Sequence, residues 1–511
     1  MRRGVFSLFA LALVLSGGDS IGADLVEVRA TLVPVKDAGL QWRSQEELRA
    51  LAAKEAQTGG VPLLRYSSVV ESGKWAKLKK GREFHFPVEY RDAILAQSKS
   101  DAGEYSIPGV VSEAATETCI IPQSPVTTEA RNSGGVLKVK PVLKNDGTIH
   151  LSGSFSYTVL EGFAEKGDPI KVTHKGVGNQ KKVIELLPNF SHEPIFLSDE
   201  YEIQTTLQPG GAENPDSFCV PVRLGSPLSD SRLNELLDTE LIHATQLKKI
   251  EGSDAPAFGI LQIESKRLKV PGPNKINQPG EKFIYLTSRY VESVIDPKLT
   301  KSVLSDSEFQ MEVRRLVQRK GVDVLSAPSA ITNSGQSAKV EVVREFIFPT
   351  RYDPPMLSEV KKEGSFPISP SVPVDFKTVM PGVTLEVEPT LAGKGNIRLE
   401  MKSKVLEFAR HINFGNEAVF VQRVGLKKAA PIVVTENKFL SPVFSFRESE
   451  TDVTIPNGST VVFSTTLDYS EVKIEEKGLF GLGKATVTTE RLPRYLTVFV
   501  TAKLVDSAGI E

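Results

Sequence analysis

The stretch REFHFP occupies residues 82–87, and the stretch REFIFP occupies residues 344–349, so nearly the same six residues occur twice, 262 positions apart. With this shift, residues 73–90 match residues 335–352 at nine of eighteen positions. Average composition would give about one match by chance. The sequence therefore predicts two copies of one structural unit.

A further part of the chain repeats with a different shift. Residues 134–151 match residues 382–399 at eight of eighteen positions when the shift is 248, and residues 194–210 align with residues 442–458 under the same shift. The change from 262 to 248 makes the connection after Tyr90 14 residues longer in the first copy.

Each copy is predicted to begin with a short helix that is followed by strands. Ser44 with Glu47, and Ser305 with Glu308, have the capping-box spacing that starts an α-helix. Residues 383–402 alternate apolar and charged side chains on either side of a turn, which is the period of a half-buried β-strand. The predicted fold class is mainly β with a few short helices.

The composition is that of a globular chain with balanced charge. Of its 511 residues, 40% are apolar and 24% are charged, and 62 Lys and Arg face 63 Asp and Glu. This balance offers no basic surface to a phosphate backbone, so nucleic acid is not expected as a partner.

The N-terminus has the pattern of a secretory signal peptide. Arg2 and Arg3 precede an apolar run over residues 5–15, and small residues follow up to Ala23. A membrane anchor is the alternative, but eleven helical residues rise about 16 Å, against a hydrocarbon core of about 30 Å. Residues 1–23 are therefore predicted to direct export and to be removed.

The remaining chain divides into three predicted parts. Residues 24–226 form the degenerate first copy, residues 227–255 a helical linker, and residues 256–508 the second copy. The linker prediction rests on leucines at helical spacing, which are Leu233, Leu236, Leu237 and Leu241.

Cys119 and Cys219 are the only two cysteines of the chain. In an oxidising compartment such a pair can form a disulfide, and two buried free thiols are the alternative. The sequence leaves both possibilities open because it does not supply the geometry.

Four blocks of the second copy, in order, resemble the C-terminal domain of secretins. Secretins are the outer-membrane ring proteins of type II and type III secretion and of type IV pili. The blocks are residues 324–342, residues 381–391 (PGVTLEVEPTL), residues 446–467 and residues 495–505. One departure is Val343, which stands where the family has a glycine, whereas the first copy keeps Gly81 there.

The resemblance implies tandem secretin-like β domains that assemble as a homo-oligomeric ring. A few strands per subunit leave open edges, but many subunits joined edge to edge can close a β-barrel in the outer membrane. Residues 353–380 would correspond to a gate hairpin in the lumen, or else form a solvated loop. The residues expected to hold strand register and the base of the gate are Arg344, Glu345, Phe346, Phe348, Pro349, Gly382, Pro389 and Gly458.

The function that follows from the resemblance is a gated channel for protein export in a secretion or pilus system, with machinery proteins as partners. The alternative is a periplasmic or surface scaffold that has the fold but forms no pore. Neither reading involves an enzyme, a cofactor or a metal. The glutamate pairs 200/202 and 448/450 are interpreted as cross-strand charge pairs rather than catalytic groups.

Overall fold

The structure is a computed structural model, and it describes most of the chain after residue 23. The described residues are 24–35, 39–57, 62–98, 105–106, 117–174, 183–187, 189–208, 216–225, 241–247, 257–270, 282–294, 296–297, 299, 301–319, 321–357, 368–424, 427–428, 432–476 and 486–506. The predicted signal peptide lies outside them.

Strands and two α-helices make up the described fold. The first strands are β1 (Leu25–Val35), β2 (Leu64–Glu71), β3 (Ala76–Arg91), β4 (Ile94–Ser98), β5 (Tyr105–Ser106), β6 (Glu117–Ile121), β7 (Ser124–Leu143), β8 (Ile149–Lys166), β9 (Ile170–His174), β10 (Val183–Leu187), β11 (Ser191–Leu207) and β12 (Ser217–Gly225). The helices are α1 (Gln45–Gln57) and α2 (Asp306–Val317), and short 3-10 helices span Leu40–Trp42 and Ala244–Leu247.

The later strands begin at residue 241. They are β13 (Leu241–His243), β14 (Ala257–Arg267), β15 (Lys282–Ser293), β16 (Val303–Leu304), β17 (Val322–Ser326), β18 (Ser329–Thr332), β19 (Ala338–Val343), β20 (Phe346–Asp353), β21 (Met356–Leu357), β22 (Ile368–Ser369), β23 (Val372–Val379), β24 (Gly382–Leu391), β25 (Asn396–Asn413), β26 (Ala418–Val424), β27 (Lys427–Lys428), β28 (Ile432–Thr435), β29 (Leu440–Pro456), β30 (Thr460–Glu476) and β31 (Thr486–Asp506). The mainly β fold class is confirmed.

Two large sheets dominate the described residues. Sheet A has the order β12-β14-β1-β2-β30-β31-β15-β17, with β18 also on β15 and β16 on β30. Sheet B has the order β11-β8-β7-β3-β29-β25-β24-β19, with β20, β23 and β13 attached beside this path. The strands of both predicted copies therefore lie in the same two sheets.

A smaller sheet, sheet C, joins strands from distant parts of the chain. It has the order β27-β26-β6-β4-β5, with β28 also on β26. Two separate pairs, β9 with β10 and β21 with β22, stand outside the three sheets among the described strands.

Sheets A and B pack face to face, and the helices cover the outer side of sheet A. Apolar side chains from both sheets fill the interior, such as Ala30 with Leu151 in the first half and Val461 with Leu399 in the second. Helix α1 packs Leu48 and Ala52 near the end of β1, while α2 packs Phe309, Val313 and Leu316 against β30 and β31. The capping boxes predicted for both helices are present.

The first half of sheet B has the same pairing register as the second half. In the β3–β7 pair, Ala76 lies opposite Val139, and at the positions given by the two shifts Ala338 lies opposite Val387 in β19–β24. The bulge at Ile195 and Phe196 in β11–β8 recurs in β29–β25. Strands that share a register and a bulge have the same local geometry.

The segment between the two halves differs from its prediction. The predicted helix is wrong for residues 241–247, because β13 pairs in parallel with β25 and a 3-10 helix follows it. Ile242 is fully buried there, so packing overrides the helical spacing. Moreover β14, which the prediction assigned to the second copy, lies between β12 and β1. The boundaries 24–226 and 256–508 stay a prediction.

Within the described part of the chain, neither helix has both the length and the apolar composition needed to cross a membrane.

Candidate functional site

The two halves of the chain meet where β3 pairs with β29, and this joint is charged. Lys79 Nζ lies 2.5 Å from Glu448 Oε2, and Lys77 Nζ lies 3.7 Å from Glu450 Oε1. Burial raises the pKa of Glu448, but the hydrogen bond from Lys79 and the charge of Lys404 more than offset it, so its pKa lies below the usual value. Cross-strand charge pairing is therefore present for Glu448 and Glu450, as predicted.

Beside the charged positions, the backbones of β3 and β7 come very close together. Gly81 lies opposite Gly134, whose φ of +131° is strained for other residues. A Cβ at Gly134 would lie 2.2 Å from the carbonyl oxygen of Lys80. The neighbouring Lys80 is buried, and its ammonium donates to the carbonyl of Leu63 and to Thr466 Oγ1 at 3.0 and 2.7 Å. Lys80 thus ties sheet B to sheet A.

The two repeated stretches, residues 82–87 and 344–349, meet through one aromatic cluster. The rings of His85 and Phe348 are edge to face with centroids 4.8 Å apart, and Phe346 stacks on Phe408 at 4.9 Å. Phe348 also lies 5.9 Å from Phe444 of β29. Such ring pairs stabilise beyond their buried area, so this cluster fixes the joint between the halves.

A hydrogen bond orients the histidine of this cluster. His85 Nε2 lies 2.8 Å from Glu83 Oε1, two residues away on the same strand. This hydrogen bond holds the pKa of Glu83 below its usual value, although burial opposes it. His85 is therefore a buried core residue of the joint.

Five of the residues predicted to hold strand register and the base of the gate lie at two places in sheet B. Arg344 and Glu345 form the exposed break between β19 and β20, where the Arg344 amide donates to the Pro381 carbonyl at 2.9 Å. Phe346 and Phe348 extend from this break into the aromatic cluster, and Pro349 lies at a register shift of the β20–β23 pair.

Gly382 sits at the close approach that corresponds to Gly134. Its φ is +139°, and a Cβ there would lie 2.2 Å from the Val342 carbonyl oxygen. The Gly382 position therefore requires glycine for a physical reason, which is independent of any role in a gate.

Pro389 and Gly458 hold turns further along the sheets. The Pro389 carbonyl accepts a 2.7 Å hydrogen bond from the Gly335 amide. Gly458 has a φ of +77° in the turn between β29 and β30, and its amide donates to the Ala502 carbonyl. The three positions Gly382, Pro389 and Gly458 are thus spread over the structure and do not form one pocket.

The segment predicted as a gate or a loop belongs to a hairpin. Strand β20 pairs with β23, and the short strands β21 and β22 pair beyond them, while residues 358–367 lie outside the described residues. Arg351 Nε donates to Asp375 Oδ2 at 2.6 Å across the hairpin. Ile347 and Phe376 are 58% and 57% exposed, so the hairpin presents apolar side chains outward.

Cys119 and Cys219 are both buried free thiols, so the disulfide that the sequence allowed is not formed. Cys119 lies in sheet C, whereas Cys219 lies in β12 and packs beneath α1. Burial raises the pKa of the two thiols to about 12 and about 11, respectively. They are therefore poorly reactive at neutral pH.

An exposed apolar edge on the second half is the feature that sequence reasoning missed. Strands β17 to β20 and the hairpin leave large apolar side chains open to solvent, which are Val324, Leu325, Ile331, Val342, Ile347 and Phe376. A signal was present in the repeat, because the polar Lys80 and His85 of the first copy are replaced by the apolar Val342 and Ile347 in the second.

Several solved structures show a distant likeness to the chain. The type IV competence pilus secretin PilQ of V. cholerae is 11% identical, with 94% of this chain and 61% of that chain covered and a TM-score of 0.19. The type II secretin GspD of enteropathogenic Escherichia coli is 10% identical, with 57% and 88% covered and a TM-score of 0.21. The type III secretion injectisome secretin InvG of Salmonella is 10% identical, with 58% and 88% covered and a TM-score of 0.18.

No curated protein matches the chain by sequence. A family model does match it, namely Secretin, described as a bacterial type II and III secretion system protein, over residues 315–477. Three of the four sequence blocks that resemble secretins fall inside this range, and the block at residues 495–505 lies beyond it. The chain therefore carries a secretin domain over residues 315–477.

Proposed function

We propose that this protein is an outer-membrane secretin-like ring component of a type II or III secretion or type IV pilus system, and that the ring forms a gated channel for protein export. The observation that carries the proposal is the secretin domain at residues 315–477. Residues 1–23 would direct export, and machinery proteins of the secretion or pilus system would be the partners.

The open strand edges of the secretin domain support assembly into a ring. Among the described strands, β19 has a neighbour on one side only, which is β24, and apolar side chains are exposed along this edge. Unpaired backbone groups are costly in lipid, so a sheet with free edges needs further subunits to close it.

The β20–β23 hairpin is the proposed gate. It extends away from the break at residues 344–345, carries exposed apolar side chains and lies inside the matched secretin range. Phe348 and Tyr352 anchor the base of the hairpin in the apolar core, so the part beyond Asp353 is the part that would occlude the lumen.

Fractionation of cells that express the full-length chain tests the channel. The protein should appear in the outer-membrane fraction, and detergent should extract it as multimers of high mass that conduct ions in a planar bilayer. A soluble protein without membrane association would instead favour the scaffold that forms no pore.

A hairpin truncation tests the gate separately from the channel. Asp353 and Val372 lie opposite each other in the β20–β23 ladder, so an Asn-Gly turn can replace residues 354–371 without breaking that ladder. The truncated ring should assemble as before but conduct more strongly in the planar bilayer. Unchanged conductance in assembled rings would show that this hairpin does not occlude the lumen.

A further inference from the structure

The two large sheets repeat a block of four strands in the same direction. In sheet B the order β11-β8-β7-β3 is followed by β29-β25-β24-β19, and the shifts of 248 and 262 convert each strand of the first block into its counterpart in the second. In sheet A the order β12-β14-β1-β2 is followed by β30-β31-β15, and both β17 and β18 pair with β15. The halves are thus joined head to tail.

Sheet C contains a third joint with the same direction. There β26 of the second half pairs with β6 of the first half, with Val419 opposite Ile120. The repeat counterparts of these two strands are β9 and β22, and each of these belongs to a separate two-stranded pair. All three sheets therefore join the same side of the first half to the same side of the second half.

A head-to-tail order leaves two complementary ends. Strand β3 is covered by β29, while its counterpart β19 is at one end of sheet B and the counterpart of β29, which is β11, is at the other end. One molecule thus presents, at its two ends, the same two surfaces that already pair within it. Surfaces of this kind make heterologous contacts, which generate rings when the rotation closes.

Matched residues are buried in the first half but exposed at the end of the second half, so this end lacks a covering strand. At three pairs of positions 262 apart, the first-half residue is 0 to 9% exposed and the second-half residue is an apolar side chain that is 43 to 58% exposed. The pairs are Val69 and Ile331, Lys80 and Val342, and His85 and Ile347.

We infer that the exposed β19 edge of one molecule pairs with the β11 edge of a second copy of this chain, in the register of the β3–β29 joint. The inference rests on the proposed ring and specifies its subunit contact. In the internal joint Glu450 lies opposite Lys77 and Glu448 opposite Lys79. In the contact between molecules, Glu202 therefore lies opposite Lys339, and Glu200 lies opposite Glu341.

The charges of the two joints agree at one position and differ at the next. The Lys77–Glu450 pair becomes Lys339–Glu202 between molecules, whereas the position of Lys79 is taken by Glu341, which then faces Glu200. Lys339 Nζ lies 2.7 Å from Glu341 Oε1 on the same strand and so partly neutralises it. The contact between molecules is therefore weaker than the joint within one molecule, as suits an assembly of preformed subunits.

Cysteine crosslinking of the full-length protein tests the register. In the variant with Lys339→Cys and Glu202→Cys, oxidation should give a ladder of covalent multimers on a denaturing gel. The two residues of one molecule lie at opposite ends of an eight-stranded path, about 34 Å apart at the usual strand spacing, so they cannot crosslink within it. The variants with Lys339→Cys alone and with Glu202→Cys alone measure the background crosslinking through Cys119 and Cys219.

A shifted pair is the matched control. The variant with Lys339→Cys and Gln204→Cys keeps the same strand face but moves two residues along β11, and its ladder should be lost. Equal ladders from both variants, multimers without any ladder, or a crosslink confined to the single chain would each overturn the inferred contact.

A second measurement uses the unaltered protein. A zero-length reagent that joins amines to carboxylates should link Lys339 to Glu202, and mass spectrometry of the digested multimer identifies the linked peptides. Multimers that crosslink in this way in the soluble fraction would support the contact while overturning the membrane proposal. Multimers in the membrane fraction that lack this link would support the membrane proposal while overturning the inferred contact.

Discussion

At the scale of the residue, the close backbone approach at Gly134 predicts that an alanine at this position destabilises the fold. Gly134→Ala introduces a Cβ that would lie 2.2 Å from the Lys80 carbonyl, in addition to the cost of a positive φ. We expect the clash to lower the free energy of unfolding by about 1–3 kcal/mol beyond the conformational cost. Denaturant midpoints measure the loss.

The matched control for this prediction is Gly73→Ala. Gly73 also has a positive φ, +82°, but a Cβ there would meet nothing within 4 Å. It should therefore show the conformational cost alone, about 1–2 kcal/mol. Equal losses from the two variants would mean that the strands can separate at Gly134 without penalty.

A second residue-scale prediction concerns a buried arginine between the sheets. Arg447 has a side chain that is 4% exposed and donates to Glu407 Oε2 at 2.8 Å, and Arg494 of β31 reaches the other Glu407 oxygen at 3.2 Å. Glu407→Gln should lower the free energy of unfolding by about 3 kcal/mol, because it removes a charged partner of a buried guanidinium.

The control for Glu407 is a surface pair on the same strand. Arg398 and Glu400 form a contact of 2.6 Å in which the Glu400 side chain is 55% exposed. Glu400→Gln should therefore cost less than about 1 kcal/mol. Denaturant titration of both variants separates the buried from the exposed pair, and similar losses would contradict the role of burial.

The pH dependence of helix α2 can be predicted from its capping residue. Hydrogen bonds from Lys301 and from Ser305 hold the pKa of Glu308 at about 2, below its usual value of 4.5. Because the folded pKa is the lower one, the stabilisation is complete above about pH 4.5 and is lost as the pH falls toward 2. The stability difference between the native protein and Glu308→Gln should shrink over this range, and a difference that stays constant would contradict it.

At the scale of the element, the inferred contact between β19 and β11 can be strengthened. Glu341→Lys would recreate on β19 the pattern of Lys77 and Lys79, and so replace a carboxylate that faces Glu200 by an ammonium. Multimers should then resist dilution better, by about 0.2–1 kcal/mol per contact, and the gain should fall with added salt. Particle mass at decreasing concentration measures this.

Two variants of β19 serve as controls for the charge argument. Glu341→Gln removes the repulsion without adding a partner and should have a smaller effect in the same direction. Lys339→Glu should weaken the multimer. A multimer that responds to none of these substitutions would place the contact elsewhere.

Elements with a strong local signal were predictable from the sequence. The capping residues Ser305 and Glu308 mark the start of α2, and the alternation in residues 383–402 marks β24 and β25. The leucine spacing near Leu241 failed because a helical stripe and a short buried strand both need apolar residues, and the pairing with β25 decides between them.

At the scale of the whole molecule, the sequence indicated the duplication but not how its halves are joined. Period-two alternation tells which side of a strand is buried, but it does not name the neighbouring strand. The pairing of β3 with β29 therefore could not be predicted, although the residues that determine it, such as Lys79 and Glu448, were visible. For the same reason the sequence left the pairing of Cys119 and Cys219 open.

The predicted duplication and the proposed ring together make a last prediction, which concerns the symmetry of the assembly. If each molecule contributes two similar units joined as the molecules themselves are joined, the ring contains twice as many units as chains. End-on particle images should then give a rotational power spectrum with its main peak at twice the number of chains, a number obtained independently from the particle mass. The true symmetry is that of the chains, because Val343 and Gly81, for example, distinguish the units. A main peak at the number of chains itself would show that the two halves do not occupy equivalent places in the wall.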